Sequence, residues 1–144
     1  MALRFRYRSI ERPEPLGPKT LPVIPITYLG TGGESFESAP ILDSGADFSV
    51  IFKEHAEILG VDLGKCEETE CQGIGGKVKA WKTKIPIRLK GKGEHRAFNL
   101  EIPTMILERQ AVNHTLLIGR AGFFEHFEIC FNEKERTITL KPIQ

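Results

Sequence analysis

Apolar and polar side chains alternate with a period of two along most of the chain from residue 22 onward, which is typical of β-strands with one buried face. Segments rich in glycine or charged residues separate the alternating runs and indicate turns. The strands are expected at residues 23–28, 36–42, 49–52, 69–90, 98–107, 114–118 and 127–140, with hairpins at 23–42, 69–90 and 127–140. Residues 53–60 and 121–126 predict one or two short helices. The pattern as a whole predicts a mostly-β single domain.

Prolines mark the beginning of this domain. Four of them fall within residues 11–22 and indicate an extended segment with few backbone hydrogen bonds. We therefore divide the chain into a proline-rich lead-in over residues 1–21 and one folded domain over residues 22–142. Pro22 and Pro25 favour an edge position for the first strand of that domain, because proline cannot donate to the hydrogen-bond ladder.

Length and charge limit the classes of function. The 144 residues are enough for one domain to bury a core without disulfides or a metal. The net charge of +1, from 20 Lys and Arg against 19 Asp and Glu, argues against a nucleic-acid partner bound by bulk charge. No stretch approaches the roughly 20 apolar residues of a membrane span, and residues 1–12 lack the apolar block of a secretory signal. We expect a cytoplasmic protein with no membrane partner.

The cysteines suggest neither a disulfide framework nor a metal centre. Their number, three, is odd and cannot close a set of disulfides. Cys66 and Cys71 could be combined with His95 or His114 as metal ligands, but the spacing matches no tight zinc pattern. We therefore expect no metal.

An aspartate stands at the end of the second predicted strand. Asp43 follows the apolar residues 40–42, and Ser44 and Gly45 form a tight turn before the chain becomes apolar again. An aspartate flanked in this way is expected to be partly buried, which suits acid–base chemistry. An ordinary turn is the alternative, because Asp-Ser-Gly is also common turn chemistry.

Two further features favour a binding or catalytic site. The hairpin tip at residues 73–76 has three glycines in four positions, which allows a loop to lie close over an extended ligand. A merely flexible hairpin is the alternative, and a dinucleotide site is disfavoured because strand-like alternation follows. The apolar run before Gly119 and Arg120 places a guanidinium next to the core, where it needs a carboxylate partner, and Asp47 is the candidate.

In this order the motifs resemble the retropepsins, the retroviral-type aspartic proteases. The matching pieces are Leu-Asp-Ser-Gly-Ala-Asp at 42–47, Gly-Ile-Gly-Gly-x-x-Lys at 73–79, Ile-Pro-Ile at 85–87 and Leu-Ile-Gly-Arg at 117–120. The resemblance runs from about residue 22 to residue 131. The tail is also similar to the end of a pepsin lobe, which indicates a free-standing cellular member of the family.

The resemblance implies a fold and a set of roles. The fold is a closed β-barrel, one lobe of the acid protease fold, with a flap hairpin. By resemblance Asp43 is the catalytic aspartate, Ser44 hydrogen-bonds across two loops, and Gly45 and Ala46 line the cleft. Asp47 and Arg120 form a supporting ion pair. The flap tip and pocket residues that bind substrate are Gly73, Ile74, Gly75, Gly76, Val50 and Leu117.

The same resemblance implies an oligomer. Aspartic protease chemistry uses two carboxylates, whereas this chain has one Asp-Ser-Gly motif. We therefore expect a homodimer that cuts an extended peptide or protein substrate without a cofactor. The dimer contacts stay open, because the N-terminal lead and the C-terminal hairpin are longer than in viral members. Two alternatives remain, namely a retropepsin-like module that binds a peptide or protein without cutting it and a β-barrel with coincidental motifs.

Overall fold

The chain folds into strands joined by short turns. The computed structural model describes residues 2–12, 14–73, 76–90, 97–108 and 115–143. Within them the strands are β1 (Leu3–Arg6), β2 (Arg8–Ile10), β3 (Lys19–Leu21), β4 (Ile26–Leu29), β5 (Ser35–Ser38), β6 (Ile41–Leu42), β7 (Ser49–Phe52), β8 (Glu67–Gly73), β9 (Gly76–Lys90), β10 (Ala97–Leu107), β11 (Leu117–Ile118), β12 (Phe127–Asn132) and β13 (Thr137–Pro142). The helix α1 covers Lys53–Ile58, and two 3-10 turns cover Leu63–Lys65 and Phe124–His126.

The largest sheet has the order β5-β4-β9-β10-β7-β11-β6, with β8 added to β9. The long strands β9 and β10 pair in antiparallel register from Lys90 and Ala97 to Ala80 and Leu107. Strand β7 is parallel to β10, and β11 lies between β7 and β6. This arrangement brings two chain segments that are far apart in sequence, β6 and β11, side by side.

The sheet curls into a half-barrel, and the segment just ahead of β4 reaches β6 at the far edge of the sheet. Val23, just ahead of β4, forms an isolated bridge to Ile41 in β6. The Leu42 N–H donates to the Pro22 carbonyl at 2.9 Å, and the Ile24 N–H donates to the Pro40 carbonyl at 3.2 Å. Curling encloses one face of the sheet, so alternate residues of its strands become the core.

Alternation in β9 shows how the sequence makes this core. Ile85, Ile87 and Leu89 are almost completely buried, while the residues between them face outward. The fully buried large side chains that pack with them are Tyr28, Phe52, Phe123, Ile24, Ile26, Ile51, Leu59, Ile102 and Ile106. Burial of this many apolar side chains is the main force that holds the curled sheet.

A second sheet ties the two ends of the described chain together. Its order is β1-β13-β12, and β1 pairs with β13 from Leu3 opposite Leu140 to Arg6 opposite Thr137. Leu3 and Phe5 are buried, whereas the arginines that alternate with them are exposed. The sequence did not predict this strand, which lies within the proposed lead-in. Within the same lead-in, β2 and β3 form a separate two-stranded sheet.

One predicted strand is broken. Residues 36–42 form two strands, since β5 pairs with β4 and β6 pairs with β11. Ala39 and Pro40 separate them. Proline has no N–H to donate, and this allows the chain to leave one partner strand and join another.

The predicted fold class is confirmed as mostly β, in a single small domain. The helix predicted at 53–60 is observed at 53–58, and the stretch 121–126 contains a 3-10 turn rather than an α-helix. Among the described residues no helix has the length and apolar character needed to cross a membrane.

Candidate active site

Asp43 lies where the parallel strands β6 and β11 end. Its backbone N–H donates to the Ile118 carbonyl at 2.9 Å, which extends the β6–β11 pairing by one hydrogen bond. Leu42, directly before it, is buried, and Asp43 itself is partly buried as the sequence predicted. The carboxylate therefore stands at the boundary between the core and the surface.

Hydrogen bonds within the following loop orient this carboxylate. The Gly45 N–H donates to Asp43 Oδ1 at 2.8 Å, and the Ala46 N–H donates to the Asp43 carbonyl at 3.3 Å. A Cβ at position 45 would lie 3.2 Å from that same Oδ1, which is a tight contact. Ser44 is exposed. One carboxylate oxygen is thus held by the turn, as is common for an Asx turn.

The segment after β11 docks onto this loop through backbone atoms. The Arg120 N–H donates to the Ala46 carbonyl and the Ala121 N–H donates to the Asp47 carbonyl, both at 2.9 Å. A Cβ on Gly119 would lie 2.4 Å from the Phe48 carbonyl oxygen. Because no side chain fits into that space, the close approach of the two segments requires glycine.

Asp47 and Arg120 form the ion pair that the sequence predicted. The expectation that the guanidinium lies next to the core is wrong, since the Arg120 side chain is 55% exposed and the Asp47 side chain 71% exposed. The turn that begins at Arg120 carries its side chain to the surface. The pair joins the two loops at their outer side, where water screens both charges.

Two predicted pocket residues also meet here. Val50 in β7 is directly opposite Leu117 in β11, and both side chains are partly buried. Leu117 is also the register partner of Ile41, two positions before Asp43. The structure therefore brings Val50, Leu117 and the Asp43 loop into one neighbourhood.

The glycine-rich hairpin is formed by β8 and the first part of β9. Its pairing runs from Glu67 opposite Lys82 to Gly73 opposite Gly76. Strand β10 accompanies β9 only as far as Ala80, so the tip of the hairpin continues as two strands. Ile74 and Gly75, predicted to form the flap tip, lie outside the described residues.

Several neighbours of the site were not singled out from the sequence. Ser49 is completely buried, and its Oγ accepts a hydrogen bond from the Gly119 N–H at 3.1 Å. A cavity of about 440 Å³ lies beside the ion pair and is lined by Asp47, Phe48, Arg120, Ala121, Phe124 and Glu125. One sequence signal pointed to the buried Ser49, namely a serine at the start of an otherwise apolar strand. No sequence signal pointed to the cavity, because it forms where two loops distant in sequence dock.

A stack of rings packs helix α1 against the sheet. The ring of Phe36 lies 4.6 Å from that of Tyr28 and 5.2 Å from that of His55, measured between centroids. The His55 Nδ1 accepts a hydrogen bond from the Phe52 N–H at 3.1 Å, and burial lowers the pKa of His55. Burial also raises the pKa of Tyr28. Helix α1 directly follows β7, so this packing fixes the strand that carries Val50.

No cluster of three or more potential metal ligands occurs among the described residues. The three cysteines are free thiols, two of them partly buried and Cys130 exposed. His95 and His114, which the sequence offered as further metal ligands, lie outside the described part of the chain.

Comparisons with known proteins agree with the geometry. Residues 32–121, which include the Asp43 loop, the hairpin and Arg120, match the family model described as aspartyl protease. A retropepsin-like aspartic protease from Rickettsia conorii is 18% identical, with a TM-score of 0.59 over 97% of this chain and 98% of that one. The EIAV protease complexed with an inhibitor is 23% identical, with a TM-score of 0.46 over 69% of this chain and 82% of that one.

A search among curated proteins finds no significant match. The family match nevertheless covers more than half of the chain, and the structure has the fold that the family implies. The chain therefore belongs to the aspartyl protease family, and its fold is retropepsin-like.

Proposed function

We propose that this protein is an aspartic endopeptidase that acts as a homodimer, with Asp43 of each chain forming one half of the catalytic pair. The observation that carries the proposal is the Asp43 carboxylate, held by the Gly45 N–H at the junction of two loops that are hydrogen-bonded to each other. Such a rigid, partly exposed carboxylate meets the positional requirement for general acid–base chemistry.

The other aspartates of the chain have different roles. The sequence contains three, and Asp47 is paired with Arg120 while Asp62 accepts a hydrogen bond from the Gly64 N–H at 3.0 Å. Glu125, which lines the cavity beside the ion pair, accepts a hydrogen bond from the Gly122 N–H. The sequence contains no second Asp-Ser-Gly motif, so we infer that the second carboxylate is Asp43 of another copy, related by a twofold axis.

The chemistry follows from bringing two carboxylates together. At a separation of about 3 Å they cannot both ionise easily, so the pair holds one proton. The ionised member takes a proton from a bound water, and the water oxygen attacks the peptide carbonyl. The protonated member donates to the developing oxyanion. The N–H groups of Gly45 and Ala46 keep the loop in place, Ser44 would hydrogen-bond across to the second loop of the pair, and the ion pair of Asp47 with Arg120 supports the loop from outside.

The substrate would be an extended peptide. Val50 and Leu117 supply apolar surface for side chains next to the cut. The glycines of the hairpin, Gly73 and Gly76 with Gly75 between them, allow backbone groups to approach the peptide as in strand addition, and Ile74 would contact it as the flap tip.

The test is hydrolysis of a peptide library by the Asp43→Asn variant. Asparagine keeps an oxygen that can accept the Gly45 hydrogen bond, so the loop is expected to fold, but the amide cannot exchange a proton with water. We expect at least about a thousandfold loss of kcat/KM. Asp62→Asn is the matched control, since it preserves the acceptor for Gly64, and it should retain full activity.

Two other results would count against the proposed peptidase function. Activity that survives Asp43→Asn contradicts the mechanism. A native chain that binds library peptides but cuts none of them supports the alternative function of a peptide-binding module.

A further inference from the structure

The catalytic loop ends in an unusual residue. Phe48 is one of few large apolar side chains exposed to solvent, with 39% of its surface accessible, and it stands between Asp47 and the buried Ser49. The ammonium group of Lys82 lies over its ring, 5.4 Å from the centroid. This contact joins the loop that carries Asp43 to the long strand β9 that forms the hairpin.

Lys82 differs from Lys77 and Lys79, which precede it on β9, in its charge partners. Lys77 pairs with Glu70 at 3.6 Å and Lys79 pairs with Glu68 at 3.2 Å across the hairpin. Glu67 lies directly opposite Lys82 in the strand register, yet no ion pair links Lys82 to any described residue. The Lys82 side chain is directed onto Phe48 and is partly buried.

A partly buried ammonium over an aromatic ring has donor capacity that the ring does not use. The ring face attracts the charge, but an ammonium group has three N–H donors and seeks oxygen acceptors when water is limited. The other charges of the loop, Asp47 and Arg120, neutralise each other. Lys82 is therefore a cation with no ion-pair partner among the described residues, and it lies beside an exposed apolar ring.

We propose that Phe48 and Lys82 form a subsite that selects an acidic side chain of the substrate, with glutamate as the best fit. The methylene groups of glutamate would lie against the Phe48 ring while its carboxylate accepts hydrogen bonds from the Lys82 ammonium. Phe48 and Val50 stand on either side of the buried Ser49, so the subsite adjoins the apolar surface of Val50 and Leu117 and receives a substrate side chain near the cut. The inference rests on the proposed peptidase function and adds a substrate class to it.

The experiment compares two matched peptides with each variant. Partial unfolding of a variant lowers the cleavage of both peptides equally, so the ratio of their kcat/KM values is unaffected. The native protein cuts a peptide library, and sequencing of the products identifies the positions around the cut where acidic residues are enriched. The peptide that is cut most efficiently is then synthesised in two forms, with Glu or with Gln at that position. We expect the native protein to prefer Glu about tenfold in kcat/KM. Lys82→Met should abolish the Glu preference, and Lys82→Glu should reverse it toward a basic side chain.

Lys84→Met is the matched control, because Lys84 is an exposed lysine two residues further along the same strand, outside the proposed subsite. It should keep the native preference. Equal preferences in the native protein and Lys82→Met, or no acidic enrichment in the native library, would overturn the proposal.

A binding experiment keeps this inference separate from the peptidase function. A peptide array is probed with the labelled Asp43→Asn chain and with the double variant that also carries Lys82→Met. If the native protein cuts nothing, the peptidase proposal fails, but Lys82-dependent binding of Glu-containing peptides still supports the subsite. Array binding with no difference between the two chains contradicts it.

Discussion

Besides the backbone hydrogen bonds, two contacts that involve side chains join the loops of the candidate active site, and they differ in burial. The Ser49 hydroxyl accepts a hydrogen bond from the Gly119 N–H, and both residues are buried. The ion pair of Asp47 with Arg120 is exposed. When a buried donor loses its acceptor, the free energy of unfolding falls by more than an exposed ion pair contributes, because water cannot replace the lost acceptor.

This difference can be measured. Ser49→Ala should lower the free energy of unfolding by about 2 kcal/mol, since the Gly119 N–H is left unsatisfied. Asp47→Asn should lower it by less than about 1 kcal/mol. Urea unfolding of both variants checks the order, and a larger loss for Asp47→Asn would mean that the ion pair is shielded from water in the folded protein.

His55 makes stability depend on pH. Burial lowers the pKa of His55 below its ordinary 6.5, so the folded chain binds fewer protons than the unfolded chain when the pH falls through that value. The contribution of neutral His55 is therefore complete above pH 6.5 and is lost as the pH falls toward the folded-state pKa. Unfolding measured between about pH 7 and pH 5 should show a smaller decline for His55→Gln than for the native chain. Equal declines in the two chains would contradict this role.

Residue by residue, the sequence predicted the position of the Asp43 loop better than it predicted the surroundings of that loop. Asp43 and the pairing of Asp47 with Arg120 could be inferred because motifs in a fixed order carried them. The exposure of that ion pair, the hydroxyl of Ser49 and the contact between Lys82 and Phe48 could not. Each depends on how two segments distant in sequence dock, and local patterns contain no information on that geometry.

Among the elements, the N-terminal strand β1 has the clearest energetic consequence. Its apolar residues Leu3 and Phe5 are buried against the C-terminal strand β13, and Arg4 between them is exposed. The Tyr7 hydroxyl donates to Glu133 at 3.0 Å and joins the same region to the turn between β12 and β13. Residues 3–7 thus contribute to the packed structure, although they lie in the segment that the sequence suggested as a lead-in.

Substitutions in β1 test this contribution. Phe5→Ala should lower the free energy of unfolding by about 3 kcal/mol, since it removes a buried aromatic side chain and leaves a cavity. Arg4→Ala, one residue away on the exposed face, should change it by less than about 0.5 kcal/mol. Thermal or urea unfolding reports both values. A Phe5→Ala chain as stable as the native chain would mean that residues 1–21 are dispensable for the domain.

The strands themselves were largely predictable, but their partners were not. Period-two alternation of apolar and polar residues located β4, β7, β9, β10, β12 and β13. The alternation of Leu3 to Arg6 was obscured by the prolines that follow, and residues 36–42 were predicted as one strand although they form parts of both β5 and β6. Strand pairing is a long-range property, so the change of partner at Pro40 became visible only in the folded chain.

On the scale of the whole molecule, one chain carries half of the proposed chemistry. The curled sheet supplies a single Asp43 loop, and the remaining aspartates are engaged in an ion pair and a turn. The near-neutral net charge of +1 places no strong repulsion between two copies. The proposed function therefore requires that activity belongs to the pair of chains.

Mixing experiments test this requirement most directly. Native chain and Asp43→Asn chain are combined in varying ratios at constant total concentration, allowed to exchange, and assayed on the library-selected peptide. If each site needs two Asp43 carboxylates, activity follows the square of the native fraction, so an equal mixture keeps about one quarter of the native activity. Mixing with Asp62→Asn should leave activity unchanged at every ratio. An equal mixture with Asp43→Asn that keeps half of the native activity would show that each chain acts alone and would contradict the shared active site.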